Sequence, residues 1–224
     1  MSRTTAAAVM KAMIRISPLQ SGQRSGPMTL VDHPTVPAGT VKDLVAVAKV
    51  KPGTINFASS GSGSTAHLAA ELFKSMAGVN IMHVPYKGVS PALTDLVGGQ
   101  VQIMFTGVSS TLPYVKSNRL EPLAVSGEKR IPIMPSIPKM AQEIASFELV
   151  TWYGVFAPTQ TAKPVIVKLN QTRAKIFATA DARQRLAALG AEPVTLSPEQ
   201  FGTAVAKETA KWAKVIRDSG ARPE

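Results

Sequence analysis

Between residues 54 and 126, short apolar runs alternate with stripes of helical period. Ile55 and Phe57, set among polar neighbours, carry the period-2 pattern of a strand. Ser59-Ser60-Gly61-Ser62-Gly63-Ser64 interrupts it. Leu68, Ala69, Leu72, Phe73 and Met76 then fall on one helical face, and Gly78 supplies the stop. The pattern repeats. Ile81 to Val84 predicts a strand, Pro85 to Val89 a loop, and Ser90-Pro91 an N-cap and first helical residue, with Gly98-Gly99 closing that helix. Val101 to Phe105 predicts the next strand, Thr111 to Lys116 a short helix, and Leu123 to Ser126 a further strand. Such alternation predicts an α/β fold with a parallel sheet and right-handed crossovers. Ligands of these sheets sit beyond the carboxyl ends of the strands. The loops at 59–64, 85–90 and 106–110 all leave carboxyl ends, so they share one rim.

The flanks are less regular. Residues 7–14 have the spacing of a short amphipathic helix, and residues 17–29 read as loop with a short strand over Met28 to Val31. Thr40-Val-Lys-Asp43 resembles a capping box and opens a helix to about Lys49. Beyond the prolines at 132, 135 and 138, Glu148 to Ala157 predicts a long strand with Trp152 near its middle. Three helical segments follow: from Pro164 to about Ala178, from Ala182 to Leu189, and one begun by Ser197-Pro198 with Gln200 at its third position. The last stripes Phe201, Val205, Trp212 and Ile216 along one face as core, and 193–196 is a further short strand candidate.

Composition narrows the chemistry. A formal charge of +11 suits acidic partners, but the basic residues are spread singly and aromatics are only 5%, so a solvated basic surface fits better than a nucleic-acid face. A basic nucleic-acid-interacting protein stays as the alternative. With no cysteine, thiolate catalysis and Cys-ligated metals are excluded; His33, His67 and His83 do not form a metal-ligand pattern. No metal, cofactor or catalytic residue is expected. No apolar run spans a membrane, and Lys11 and Arg15 interrupt any signal-peptide core.

A strand, a Gly/Ser loop and a helix start make an anion site, because the first N–H groups of a helix lack internal partners at the positive end of its dipole. Ser59 to Ser64 is therefore the candidate holder of a carboxylate; a flexible turn without ligand is the equal alternative. It is not a P-loop, lacking Gly-Lys-Ser/Thr, nor a nucleophile elbow with a plausible base. A hydrolase using this serine loop is thus a distant reading. His67, on the first turn of the helix, reads as a packing or loop-bracing residue. Tyr86 and Lys87 follow a strand end, where Lys87 either attracts an anion or is simply solvated. Thr106 offers a hydroxyl at a strand end or is an ordinary loop threonine, and Trp152 caps a ligand or fills core.

The run SSGSGSTAHLAAELFKSMAGVNIMHVPYKGVSPALTDLVGGQVQIMF resembles the Bug family of periplasmic solute-binding proteins, the receptors of tripartite tricarboxylate transporters. The resemblance continues through RLEPLAVSGEKR, WYGVFAP, KPVIVKLN and KWAKVIRDSGARPE, and upstream through MTLVDHPTVPAGTVKDLVAVAK. It implies a type II periplasmic-binding-protein-like α/β fold, with one complete lobe and an incomplete first lobe. Residues 1–15 would be an unmatched leader, 16–34 a remnant of the first lobe with a hinge strand, 35–148 the ligand-binding second lobe, and 149–224 a hinge strand with helices of the first lobe. It also implies a non-catalytic, periplasmic receptor that closes on a small organic carboxylate and passes it to a membrane permease. The matching ligand positions are Ser59, Ser60, Gly61, Gly63 and Ser64. At Thr106 many relatives carry Asp, which pairs with a ligand amine, so Thr favours a plain organic acid. Helices without their sheet would expose apolar surface around Phe201 and Trp212.

Overall fold

The computed structural model describes residues 26–158, 160–188 and 191–221. The helix expected over 7–14 and most of the 17–29 loop lie outside the described residues. Six strands follow one another as β1 (Gly26–Asp32), β2 (Asn56–Ser59), β3 (Met82–Pro85), β4 (Ile103–Gly107), β5 (Glu121–Val125) and β6 (Val150–Thr151). Between and after them come α1 (Val41–Val50), α2 (Thr65–Ala77), α3 (Val89–Val97), α4 (Val108–Lys116), α5 (Lys163–Ala178), α6 (Ala180–Ala188) and α7 (Pro198–Ser219).

The sheet order is β3-β2-β4-β1-β5, with β6 paired to the first residues of β1. β2 lies parallel to β3 and to β4, so the carboxyl ends of these three strands share one rim, as their loops require. β1 is the exception to the parallel pattern. It runs antiparallel between β4 and β5, with Leu30 opposite Phe105 and Ala124.

Alternate residues feed two apolar layers. Leu30, Phe57, Ile103 and Phe105 face α1, α2 and α7, meeting Leu44, Leu68, Phe73, Trp212 and Ile216. Val31, Ala58 and Met104 face the other way, onto Leu93 and Leu96 of α3. Phe57, Phe73 and Phe105 are fully buried, each contributing about 1.5–3 kcal/mol by removal of apolar surface from water.

The caps explain where the helices begin and end. Thr40 Oγ1 accepts the Asp43 amide at 3.1 Å, Gly78 takes the left-handed conformation that closes α2, and Ser197 with Gln200 completes a capping box for α7. Three expectations are corrected. α3 starts at Val89 behind Gly88, whose φ of 119° makes the turn, so Ser90 and Pro91 sit inside its first turn. The long strand expected over 148–157 shrinks to Val150–Thr151, because only Gly26 and Pro27 pair with it; no strand forms over 193–196. Finally, around the α7 stripe the expectation of exposed apolar surface divides: Trp212 and Ile216 are buried against α2's layer, whereas Phe156, against Phe201, stands exposed with Tyr153 and Val155, as do Val165, Val167, Leu169 and Ile176 of α5.

Candidate functional site

Where β2 and β4 end, α2 and α4 begin, and a cavity of about 300 Å³ opens between them. Ser60, Gly63, Ser64, Thr65 and Ala66 line one wall, and Thr106, Gly107, Ser109 and Ser110 another; Val89 of α3 also reaches it. Thr151, at the end of the short β6, and Tyr153 just beyond it close a third side. Among the described residues that line this cavity, none carries a charge. Hydroxyls and main-chain amides are the hydrogen-bond donors it offers.

The Ser/Gly turn is held from within. Ser59 is fully buried, its Oγ 2.7 Å from Nε2 of His83 and accepting the Gly61 amide at 3.2 Å. Gly63 donates its amide to Nδ1 of His67 at 3.0 Å. Ser64 caps α2, accepting the His67 amide at 3.3 Å, in the extended conformation an N-cap requires. The amides of Thr65 and Ala66, at the start of α2, have no acceptor inside the helix. α4 begins behind Gly107, which has no side chain with which to cap it. Two helix starts therefore bring uncommitted donors and positive dipole ends to one cavity.

The two imidazoles lie face to face, their centroids 3.8 Å apart and their planes 8° from parallel, with the Phe57 ring stacked on His83 at 4.8 Å. Burial holds the His67 pKa below the ordinary value, against the pull of Glu71. Burial, then His67 and then Lys74, push His83 down to about 4. So low a basicity and a fully buried Ser59 leave the Ser59–His83 pair without the exposed nucleophile and tuned base of a hydrolase.

The sequence-derived candidates divide accordingly. Ser60, Gly63, Ser64 and Thr106 line the cavity. Ser59 and Gly61 hold the turn's interior and are not among the lining residues. Tyr86 turns away: its hydroxyl donates to Asp95 Oδ2 at 2.7 Å, and burial with that hydrogen bond pushes its pKa up to about 12. Lys87 is exposed and stands outside the cavity. Trp152 lies against Phe201, ring edge to face at 5.4 Å, on a second cavity of about 520 Å³ bounded by α5, α6 and residues 127–132. That space is larger, but its Arg173 is committed to the carbonyls of Val194 and Leu196, and Arg130 to that of Pro135. Sequence reasoning missed Ser109, Ser110, Thr151 and Tyr153. The first two were legible as the start of the helix after a strand end; the last two depend on β6 crossing beside β1.

The chain matches the model of the tripartite tricarboxylate transporter family receptors over residues 8–221. A protein of Pseudomonas sp. (strain P51), described as the UPF0065 protein in the tcbD-tcbE intergenic region, is 36% identical over 79% of this chain and 53% of its own length. BugT of Bordetella pertussis is 34% identical over 88% of this chain and 60% of its own. The chain thus spans little more than half the length of these relatives. The solved structure of R. palustris Rpa4515 with adipate superimposes with a TM-score of 0.79 at 34% identity, over 90% of this chain and 68% of that one. The sheet with its single reversed strand, the Ser/Gly turn and this extended match agree: the chain belongs to the family of tripartite tricarboxylate transporter receptors that includes the Bug proteins.

Proposed function

We propose that this chain is a non-catalytic, periplasmic receptor that holds a carboxylate of a small organic acid in the 300 Å³ cavity, for delivery to the membrane permease of a tripartite transporter. Residues 35–148 form the ligand-binding lobe on this reading, and 149–224 the hinge strand with its helices. The observation that carries it is the convergence of the α2 and α4 starts with the hydroxyls of Ser60, Ser64, Thr106, Ser109 and Ser110 in one uncharged cavity. The adipate held by the R. palustris relative supports the ligand class. Thr106 leaves no acid at the strand end to pair with an amine, so a plain organic acid fits better than an amino acid. Tyr86, Lys87 and Trp152 contribute no direct ligand contact here.

About five water-exposed hydrogen bonds, near 1 kcal/mol net each, correspond to a dissociation constant of roughly 0.1–1 mM. A thermal-shift screen against mono-, di- and tricarboxylates, with chloride and sulfate as controls, tests the reading. Stabilisation rising with the concentration of one acid is expected. Equal response to every anion, or to none, would overturn it, and steep loss of polyanion binding with salt would favour the nucleic-acid alternative.

A further inference from the structure

Beneath the Ser/Gly turn lies a polar assembly that recognition of an anion does not by itself require. His67 Nδ1 takes the Gly63 amide at 3.0 Å, which fixes the tautomer: the ring proton sits on Nε2, 3.7 Å from Glu71 Oε1. His83, in register with Phe57 across β2 and β3, brings Nε2 to 2.7 Å from the Ser59 hydroxyl, and that hydroxyl accepts the Gly61 amide. One imidazole therefore holds the amide of Gly63 directly and the other holds that of Gly61 through Ser59. Gly61 and Gly63 both have positive φ, 132° and 75°, so the turn has little intrinsic preference for the shape it adopts. Its shape is imposed from below.

We propose that the stacked His67 and His83 are positioning residues: while both rings are neutral, they fix the 59–64 turn so that Ser60, Ser64 and the first amides of α2 face the cavity. The ligand half of this inference rests on the carboxylate reading above; the turn half does not. Protonating His67 places a hydrogen on Nδ1, so the acceptor of the Gly63 amide becomes a donor pointed at a donor. A second proton on His83 would set two cations in parallel contact, 3.8 Å apart. The charged groups facing the pair are Glu71 and Lys74 of α2, and these are already joined at 2.9 Å. Acid therefore frees the turn, and the carboxylate site loses its aim.

Amide exchange and ligand binding on the full chain, with adipate as the probe, test this in wild type, His67→Asn and His67→Leu. Asn keeps an acceptor where Nδ1 stands and cannot titrate; Leu removes it. Between about pH 7.5 and about pH 5, after allowing for intrinsic exchange, wild-type protection of the Gly63 amide should fall by about ten-fold or more. His67→Leu should show that loss at both pH values, and His67→Asn a clearly smaller fall with acid than wild type, since only His83 still titrates there. Protection of Gly63 unchanged by Leu, or falling as steeply with acid in Asn as in wild type, overturns the inference. If His67→Leu fails to fold, the Asn and wild-type profiles still decide. Adipate affinity should drop by about ten-fold in Leu and recover in Asn; equal affinity in all three overturns the ligand half. A wild type that responds to no acid overturns the carboxylate reading instead, while the exchange pattern still decides whether the imidazoles hold the turn.

Discussion

The two ends of the sheet bury ionisable groups in opposite ways. At the carboxyl ends of β2 and β3, His67 and His83 go under the surface with partners: one accepts an amide, the other meets a hydroxyl, and their faces stack on each other and on Phe57. At the far end, Asp32 closes β1 opposite Ile103 and Glu121, fully buried, with neither carboxylate oxygen hydrogen-bonded to another described residue. Burial, and then the Glu121 charge, push its pKa up to about 8, so it sits there largely as the neutral acid. Partnered burial fixes a geometry. Unpartnered burial only sets a cost, and the two costs run oppositely with pH.

The larger expected effect is at Asp32. Its folded-state pKa stands above the unfolded value near 3.8, so its favourable contribution is complete below that value and is lost as pH rises through about 8. A carboxyl moved from 3.8 to about 8 corresponds to roughly 6 kcal/mol across that window. Asp32→Asn keeps the shape without the ionisation, though it buries a carboxamide in the same place. A gain of about 2–3 kcal/mol above pH 8, shrinking toward acid, is expected from denaturant unfolding. Curves that stay parallel from acid to alkali would show that Asp32 finds a partner or water, and the contrast between the two ends would collapse.

His83→Gln probes the other end with the opposite sign. The His83 pKa is depressed from 6.5 to about 4, so its contribution to stability is present above 6.5 and is lost as pH falls through 4. Because the ring is only partly shielded, about 1–2 kcal/mol of acid-side destabilisation is expected, rather than the full value of the shift. Gln places an amide group near the Ser59 hydroxyl and removes the titration. Its unfolding curve should therefore be flatter than wild type between about pH 6.5 and pH 4. An equally steep curve would assign the acid lability elsewhere, with the carboxylates as the first suspects.

These two ends were unequally legible in the sequence. The strand, the Ser/Gly break and the helix closed by Gly78 follow from local spacing, and all three appear where the apolar periodicity puts them. The shared rim followed from the order of strands and loops, since parallel neighbours place their carboxyl ends together. The pairing of His67 with His83 did not, because it needs the β2–β3 register, which sets Phe57 beside His83 and leaves α2's first turn over both. Tyr86 looked available for a ligand for the same reason: Asp95, which takes its hydroxyl, lies on the next helix. Asp32 falls just beyond the strand expected over Met28 to Val31, and nothing in its local spacing marks it as buried. Only the insertion of β1 between β4 and β5 buries it. The apolar run at 148–157 had strand character without a neighbour to pair with, and propensity alone did not extend β6.

Ser64 gives the finest comparison, since one hydroxyl serves both fold and site. Its Oγ accepts the His67 amide at the start of α2, and the same residue lines the cavity. Ser64→Ala should cost about 1 kcal/mol of stability, the usual loss for an N-cap, and weaken adipate binding at the same time. Ser64→Asp separates the roles. A carboxylate caps as well as a hydroxyl and favours the positive helix end, so stability should stay within a few tenths of a kcal/mol of wild type. The same negative charge, set at the cavity wall, should repel an acid ligand and abolish its thermal shift. If Ser64→Asp binds adipate as wild type does, the acid is not seated at the α2 start, and the α4 start with Ser109 and Ser110 becomes the place to look.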